Sequence, residues 1–252
     1  MHVHTFAHWT PCSDHAYEDF FWPRRHQSIE LSVFRVAIAD GTSTTSYSGM
    51  WARQLVLSFV SRRLQLTIGS EALRPLQDRW LLKARARLGG RSLPWYVETK
   101  LKEGAASTLL ALELQADESH TDSCVWRALA VGDSCLVHLR QDTVLESFPL
   151  TRAEDFTNHP PLISTRGHKL DRMDIRRADG EAIAGDSFYL MTDALAKWFF
   201  KEAECGEKPW EILQGFDDYP EELAFAEWVD GLRGSEIMDD DDVTVVRLHL
   251  SK

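Results

Sequence analysis

The order in which the hydrophobic period changes along the chain narrows the fold more than any other feature. His2 to His8 alternates and Leu31 to Ala39 is a continuous apolar run, both patterns of strands. From Met50 the period becomes helical, with Trp51, Ala52, Leu55, Val56, Phe59, Val60 and Leu64 on one stripe. Glu71 to Leu88 predicts a second helix with Leu73, Leu76, Trp80, Leu81, Ala84 and Leu88 inward, and a short third one follows Pro94, a favourable first-turn residue. Ala106 to Leu114, Cys124 to Val131, Cys135 to Leu139 and Val144 to Phe148 read as an antiparallel meander, its middle pair joined by a tight turn at Gly132-Asp133-Ser134. Pro149 to Gly167 is a long irregular connection, of the kind that carries function or moves. A strand near His168 to Ile175, a Gly185-Asp186 turn and a strand at Ser187 to Thr192 follow. Helices around Ala194 to Ala203, Pro209 to Gln214 and Glu221 to Leu232 lead to a last strand, Val243 to Leu250. Strands in runs, separated by paired helices, predict an α+β fold of antiparallel sheets covered by antiparallel helices, and disfavour a doubly wound one. No Gly-x-Gly-x-x-Gly or Walker-type signature and no repeat at solenoid or propeller periods is present.

At 252 residues the chain is near the upper size for one core, so a single domain over residues 1–252 is expected. Its 44% hydrophobic and 27% charged residues are ordinary globular usage, which excludes a disordered chain. With 28 Lys and Arg against 39 Asp and Glu, the formal charge of −11 repels a nucleic-acid backbone and disfavours DNA or RNA as a partner. Most of that excess is a solvated acidic surface. Cys12, Cys124, Cys135 and Cys205 show no Cys-x-x-Cys spacing and read as reduced thiols. The first residues carry neither a basic nor an apolar leader segment, and nowhere do eighteen apolar residues run together. The expectation is a cytoplasmic, monomeric protein without a membrane partner.

Four acidic segments lie far apart at the ends of apolar runs: Tyr17-Glu18-Asp19-Phe20, Ala39-Asp40-Gly41, Met191-Thr192-Asp193 and Asp239-Asp240-Asp241-Asp242 before Val243. A fold that gathers such ends makes a pocket of hard oxygen ligands suited to Mg²⁺ or Mn²⁺. Singly, each has a plainer reading. Asp40-Gly41 and Gly132-Asp133-Ser134 suit turns, Glu18-Asp19 suits a charged surface, and Asp239 to Asp242 suits a solvated cap on an edge strand. His2, His4 and His8 share a strand face, but no second cluster completes a zinc site. Ser43 and Ser134 lack a Gly-x-Ser-x-Gly elbow, which argues against a serine hydrolase. Arg74, Arg79, Lys83, Arg85, Arg87 and Arg91 read as the wet face of the second helix, with docking of an acidic partner as the alternative.

Taken in order, Glu18-Asp19, Ala39-Asp40-Gly41, Gly104 to Thr108, Val131-Gly132-Asp133-Ser134, Gly185-Asp186 leading to Thr192-Asp193, and Asp241-Asp242-Val243-Thr244-Val245-Val246 resemble the motif set of the metal-dependent protein phosphatases of type 2C, the PPM family, in its bacterial style. The resemblance runs from about residue 2 to 250. It implies a four-layer sandwich, two antiparallel sheets flanked by helix pairs, with two Mn²⁺ or Mg²⁺ ions at one end. It implies that Asp40 bridges both ions, that the Gly41 carbonyl binds one, that Glu18 and Asp19 hold the second, and that Asp193 and Asp241 hold the first. Asp133 with Asp193 offers a third, weaker site, and Asp242 stands where the family has Asn, beside the ligands. The implied activity is hydrolysis of phosphoserine or phosphothreonine in proteins by a metal-bridging hydroxide, a signalling role opposing a partner kinase. Two ions about 3.5 to 4 Å apart lower the pKa of a bridging water and clamp an in-line transition state.

Three positions depart from the pattern. Asp14 replaces an Arg that grips the substrate phosphate, Thr42-Ser43-Thr44 replaces Met-Gly-Gly or a His, and Ala194 replaces the Gly of Thr-Asp-Gly. The rival reading is therefore a type 2C-like module, weak or inactive in catalysis, that binds a phosphoprotein. A third is hydrolysis of a small phosphorylated metabolite. Arg166 or another loop cation is the candidate substitute for the missing grip.

Overall fold

The computed structural model describes residues 1–13, 16–42, 47–87, 101, 103–117, 119–120, 122–166, 174–217 and 222–252. The strands are β1 (His2–Thr10), β2 (Phe20–Trp22), β3 (Gln27–Glu30), β4 (Val33–Ala39), β5 (Ala106–Ser107), β6 (Leu109–Ala116), β7 (Ser123–Val131), β8 (Cys135–Arg140), β9 (Thr143–Phe148), β10 (Ile163–Ser164), β11 (Arg176–Ile183), β12 (Asp186–Met191) and β13 (Val243–Ser251). The helices are α1 (Ser48–Val60), α2 (Ser70–Arg87), α3 (Asp193–Glu204), α4 (Pro209–Gln214) and α5 (Glu222–Gly234). Two antiparallel sheets carry the fold, one in the order β3-β1-β13-β12-β8-β9 and one in the order β11-β7-β6-β4-β2.

Strand alternation sends alternate side chains to opposite faces, and here it builds three apolar layers. In β4, Val36 and Ile38 face the space between the sheets, while the small Ala37 and Ala39 face α1. In β6, Leu110, Leu112 and Leu114 face inward, and Leu109 and Ala111 face the helices. Across the sandwich, Phe188 and Leu190 of β12 and Val246, Leu248 and Leu250 of β13 complete the central layer. Their neighbours Tyr189, Met191, Val243 and Val245 pack outward on Trp198, Phe199, Phe225 and Val229 of α3 and α5. Trp51, Leu55 and Phe59 of α1 with Leu73, Leu76 and Trp80 of α2 cover the other sheet. The result is the four-layer order of helices, sheet, sheet, helices.

One reading from sequence is corrected. Gly132-Asp133-Ser134 does not close a hairpin, because β7 pairs with β6 and β11 while β8 pairs with β12 and β9. The three residues carry the chain from one sheet to the other. Both strands are apolar on both faces, so periodicity holds no record of which sheet each joins. Gly132 has φ of 110°, and a Cβ there would stand 2.5 Å from Thr108 Cγ2, so the crossing needs glycine on two counts. Beyond the strand expected near His168 to Ile175, most of which lies outside the described residues, the structure adds β11, where Arg176-Arg177-Ala178-Asp179-Gly180 is too polar to read as a strand; it is a sheet edge. Residues 167–173 and the helix expected after Pro94, apart from Leu101 and Glu103, lie outside the described residues.

A charged group sits within the central layer. Asp186 of β12 is fully buried and accepts from His138 Nε2 at 2.9 Å, Arg140 Nε and Nη2 at 2.7 and 2.8 Å, and the Ile183 N–H at 3.0 Å. The His138 ring stacks on Phe188 at 4.4 Å, with the Trp126 ring edge-on at 5.9 Å. Burial alone would push the Asp186 carboxyl up, but the Arg140, His138 and backbone donors outweigh it and hold it well below the ordinary carboxylate range. The folded state therefore binds fewer protons here than the unfolded chain. The stability this group provides is complete above about pH 4 and drains away as pH falls below it. Asp186→Asn, which leaves Arg140 without its counter-charge, is expected to cost about 3 kcal/mol in urea unfolding at pH 7, with a smaller difference at pH 3.

Candidate functional site

The site begins where β4 ends. The Asp40 N–H donates to Thr108 Oγ1 at 2.9 Å, and the Thr108 N–H returns a bond to the Asp40 carbonyl at 2.9 Å. Thr108 Oγ1 also lies 3.0 Å from Ser134 Oγ. One threonine thus fixes the end of β4 against the crossing that presents Asp133. Gly41 follows, and a Cβ there would stand 2.8 Å from both the Glu18 carbonyl oxygen and the Ser48 carbonyl carbon. Only glycine lets the Glu18 loop, Asp40 and the start of α1 approach this closely.

The Glu18-Asp19 loop is held from the far end of the chain. Asp242 accepts from the Cys12 N–H at 2.9 Å through Oδ1 and from the Glu18 N–H at 2.6 Å through Oδ2. Thr244 Oγ1 donates to Asp19 Oδ2 at 2.7 Å, so the Tyr17 hydroxyl, 2.6 Å from the same oxygen, is the donor to Thr244. Ser48 Oγ donates to Glu18 Oε1 at 2.5 Å. Asp193 opens α3, where the positive end of the helix dipole favours a carboxylate, and its Oδ1 accepts from the Ala194 N–H at 2.7 Å. Thr192 Oγ1 accepts from the Thr244 N–H at 2.9 Å, which ties the start of α3 to β13.

Asp40, Gly41, Asp133, Asp193, Asp239 and Asp241 line one cleft of about 590 Å³. Glu18 and Asp19 are not part of its wall, but Asp19 is buried close enough to Asp40 that each raises the other's neighbourhood in negative charge. Burial first, then Asp19, Asp193, Asp241 and Asp133, push the Asp40 carboxyl well above its usual range. Burial, Asp133 and Asp241 raise Asp193 to about 7, and burial with a smaller part from Asp241 raises Asp133 to about 6. Five carboxylates from five separate segments therefore repel one another at one end of the sandwich. The other wall of the cleft is Phe156, Thr157, Asn158, His159, Pro160 and Leu162, from the irregular connection after β9.

This donor set fits hard divalent cations. Asp19 Oδ1 is buried without a hydrogen-bond partner, as a carboxylate oxygen kept for a cation would be. The oxygens are not drawn together in this structure: among the described residues no three His, Cys, Asp or Glu side chains are set to hold one ion. Asp193 and Asp241 instead accept from the N–H of the next residue, at 2.7 and 2.8 Å, so ion binding would turn both away from those bonds. Lys197 was not legible from sequence as a site residue. It follows Asp193 by one helical turn, which was the available signal, and its Nζ bonds Asp239 at 2.6 Å on the cleft wall. Arg166 is exposed and does not line the cleft; its side chain packs near Gly104. Asp14, Ser43 and Thr44 lie outside the described residues. Because the carboxylates raise one another's energy without a counter-ion, Mn²⁺ is expected to raise the melting temperature over a chelator at matched ionic strength. Asp40→Asn should melt as a folded protein and lose most of that increment, which differential scanning fluorimetry reads directly.

No protein-family profile and no curated protein sequence matches the chain. Solved structures do. The Mycobacterium tuberculosis serine/threonine phosphatase PstP/Ppp superposes with a TM-score of 0.62 at 19% identity, covering 100% of both chains. The S. agalactiae serine/threonine phosphatase gives 0.57 at 13% identity, covering 99% of this chain and 100% of that one. RsbX, solved in complex with magnesium, gives 0.52 at 15% identity over 99% and 96%. With two antiparallel sheets between helical layers and full-length superposition on these proteins, the chain has the fold of the metal-dependent type 2C serine/threonine phosphatases.

Proposed function

We propose that this chain is a metal-dependent phosphoric monoester hydrolase acting on phosphoserine or phosphothreonine in proteins, its 252 residues working as one domain. The observation that carries this reading is the mutual approach of Asp19, Asp40, Asp133, Asp193 and Asp241 around one end of the sandwich. Asp40, Asp193 and Asp241 carry the reaction, and Glu18, Asp19, the Gly41 carbonyl and Asp133 complete the ligand set for two Mn²⁺ or Mg²⁺ ions, with a weaker third at Asp133. Ions held there supply Lewis-acid charge to a phosphoryl group and lower the pKa of water. The residues of the chain do the rest. Thr108, Asp242 and Thr244 hold the carboxylates in register, and the 156–162 segment forms the wall against which a phosphorylated side chain rests. Water adds to phosphorus, the ester P–O bond breaks, and the leaving alkoxide takes a proton. His159 is the one imidazole among the described residues that line the cleft, and we assign it that proton. Action in the cytoplasm as a monomer, with a kinase supplying the phosphoprotein, completes the proposal; no helix among the described residues is long and apolar enough to cross a membrane.

One observation favours the rival reading of a weakly active binding module. Among the described residues lining the cleft, Lys197 is the single cation, and it is engaged by Asp239. By the resemblance of its motifs, Asp14 takes the sequence position of a phosphate-gripping Arg. Hydrolysis of p-nitrophenyl phosphate and of a phosphothreonine peptide, each with Mn²⁺, Mg²⁺ and chelator, separates the two. The hydrolase reading expects metal-dependent turnover that falls by at least about 100-fold in Asp193→Asn, since even groups that only support a metal ligand cost up to that factor. It expects Asp14→Arg to lower KM more than it changes kcat. Phosphopeptide binding with no turnover under any metal would transfer the assignment to the binding module. His159→Gln should slow the phosphothreonine peptide more than p-nitrophenyl phosphate, because p-nitrophenolate leaves without a proton and an alkoxide does not. Equal losses on both substrates would remove His159 from that role.

A further inference from the structure

The second feature of the surface is a groove of about 540 Å³ between α1 and α2, on the helical layer over the five-stranded sheet. Its walls hold Arg53, Arg63, Arg79, Lys83 and Arg87, and among the described residues lining it there is no carboxylate. That is unexpected in a chain of formal charge −11. Arg79, Lys83 and Arg87 are spaced at four-residue intervals, which stacks three like charges on one face of α2, an arrangement that destabilises a helix by itself. The negative end of the α2 dipole accounts for Arg87 but not for Arg79 in mid-helix, nor for Arg53 in the middle of α1. None of Arg63, Arg79, Lys83 and Arg87 is ion-paired among the described residues, and Glu71 and Asp78, the carboxylates of α2, lie off the groove. Arg53 rests over the Phe20 ring at 5.4 Å. Met50, Leu57 and Ala86 contribute apolar surface between the cations, and Leu57 is 36% exposed.

We infer that this groove binds an acidic peptide segment of a protein partner, with carboxylates against the cations and apolar side chains against Met50, Leu57 and Ala86. Charge complementarity selects an anion, since clustered cations without counter-charges gain most from one. The span from Arg79 to Arg87 is about 12 Å of helix, longer than a lone phosphate ion uses. The apolar floor gives an inorganic anion nothing, and the acidic remainder of the surface repels an extended nucleic acid while sparing a short segment confined to the groove. The inference is independent of the chemistry at the carboxylate cleft.

The test is fluorescence anisotropy with a labelled peptide of alternating Glu and Leu, against the whole protein and its charge variants. The wild type should bind it with an affinity that falls steeply as salt rises. Arg79→Glu with Lys83→Glu should weaken binding by at least about tenfold, and Arg79→Gln with Lys83→Gln by less, while melting curves show both variants folded. Asp40→Asn should bind as the wild type does. Equal affinity in the charge variants, or no binding to the wild type at low salt, overturns the inference. So does displacement of the peptide by inorganic phosphate, or by single-stranded DNA at lower concentration than by unlabelled peptide.

Discussion

The arrangement at the carboxylate end depends on Asp242. Its two oxygens accept from the Cys12 and Glu18 N–H groups, 230 and 224 residues earlier in the chain. The bonds clip the loop between β1 and β2 onto the turn before β13, and in doing so they bring Glu18 and Asp19 to face Asp40. Charge-assisted bonds from backbone N–H groups are the strong kind, which is what a loop carrying two further carboxylates needs in order to stay near Asp40, Asp133, Asp193 and Asp241. The burial that raises the Asp40 and Asp193 carboxyls, and the repulsion from their neighbours that adds to it, are sustained by such local bonds and by the sandwich behind them.

The sandwich does its part through the size of its side chains. Ala37, Ala39 and Ala111 on the helix-facing side of β4 and β6 let α1 lie close to the sheet, with Trp51 and Phe59 filling the space above them. That proximity brings Ser48, at the start of α1, within hydrogen-bonding distance of Glu18. On the opposite sheet, the Thr192–Thr244 bond joins two adjacent strand ends, so that Asp193 and the turn carrying Asp241 move as one unit. The carboxylate cluster is thus assembled from strand ends whose relative positions are fixed by three apolar layers together with the Asp242 clip.

Two of the buried carboxylates, Asp186 and Asp19, illustrate opposite solutions to burial. At Asp186 each oxygen has donors, and the carboxylate is stabilised as an anion within the central layer. At Asp19 one oxygen has a donor and the other has none, and burial pushes the carboxyl up. A buried carboxylate left half-satisfied is costly unless something outside the chain completes it, whereas the Asp186 carboxylate is completed by the chain itself.

What the sequence determined by itself is the set of elements and the residue types at their ends. The alternation of β1, the continuous apolar run of β4, the helical stripe of α1 and the acidic segments at strand ends are local patterns, carried by residues within a few positions of one another. The tertiary structure decided which segments meet. It sent β7 and β8 to different sheets across Gly132, because both strands are apolar on both faces and pairing energy is blind to sequence neighbourhood. It put the 156–162 segment and Lys197 on the cleft that Asp40 lines, where the sequence marked the segment only as part of a long irregular connection and did not mark Lys197 as a site residue. It also set Arg53 and Arg63 against the Arg79, Lys83 and Arg87 stripe, turning what reads along the helix as a solvated face into a walled groove. Local patterns report burial, which each side chain experiences alone; sites are made of distances between segments, and those are fixed only when the layers pack.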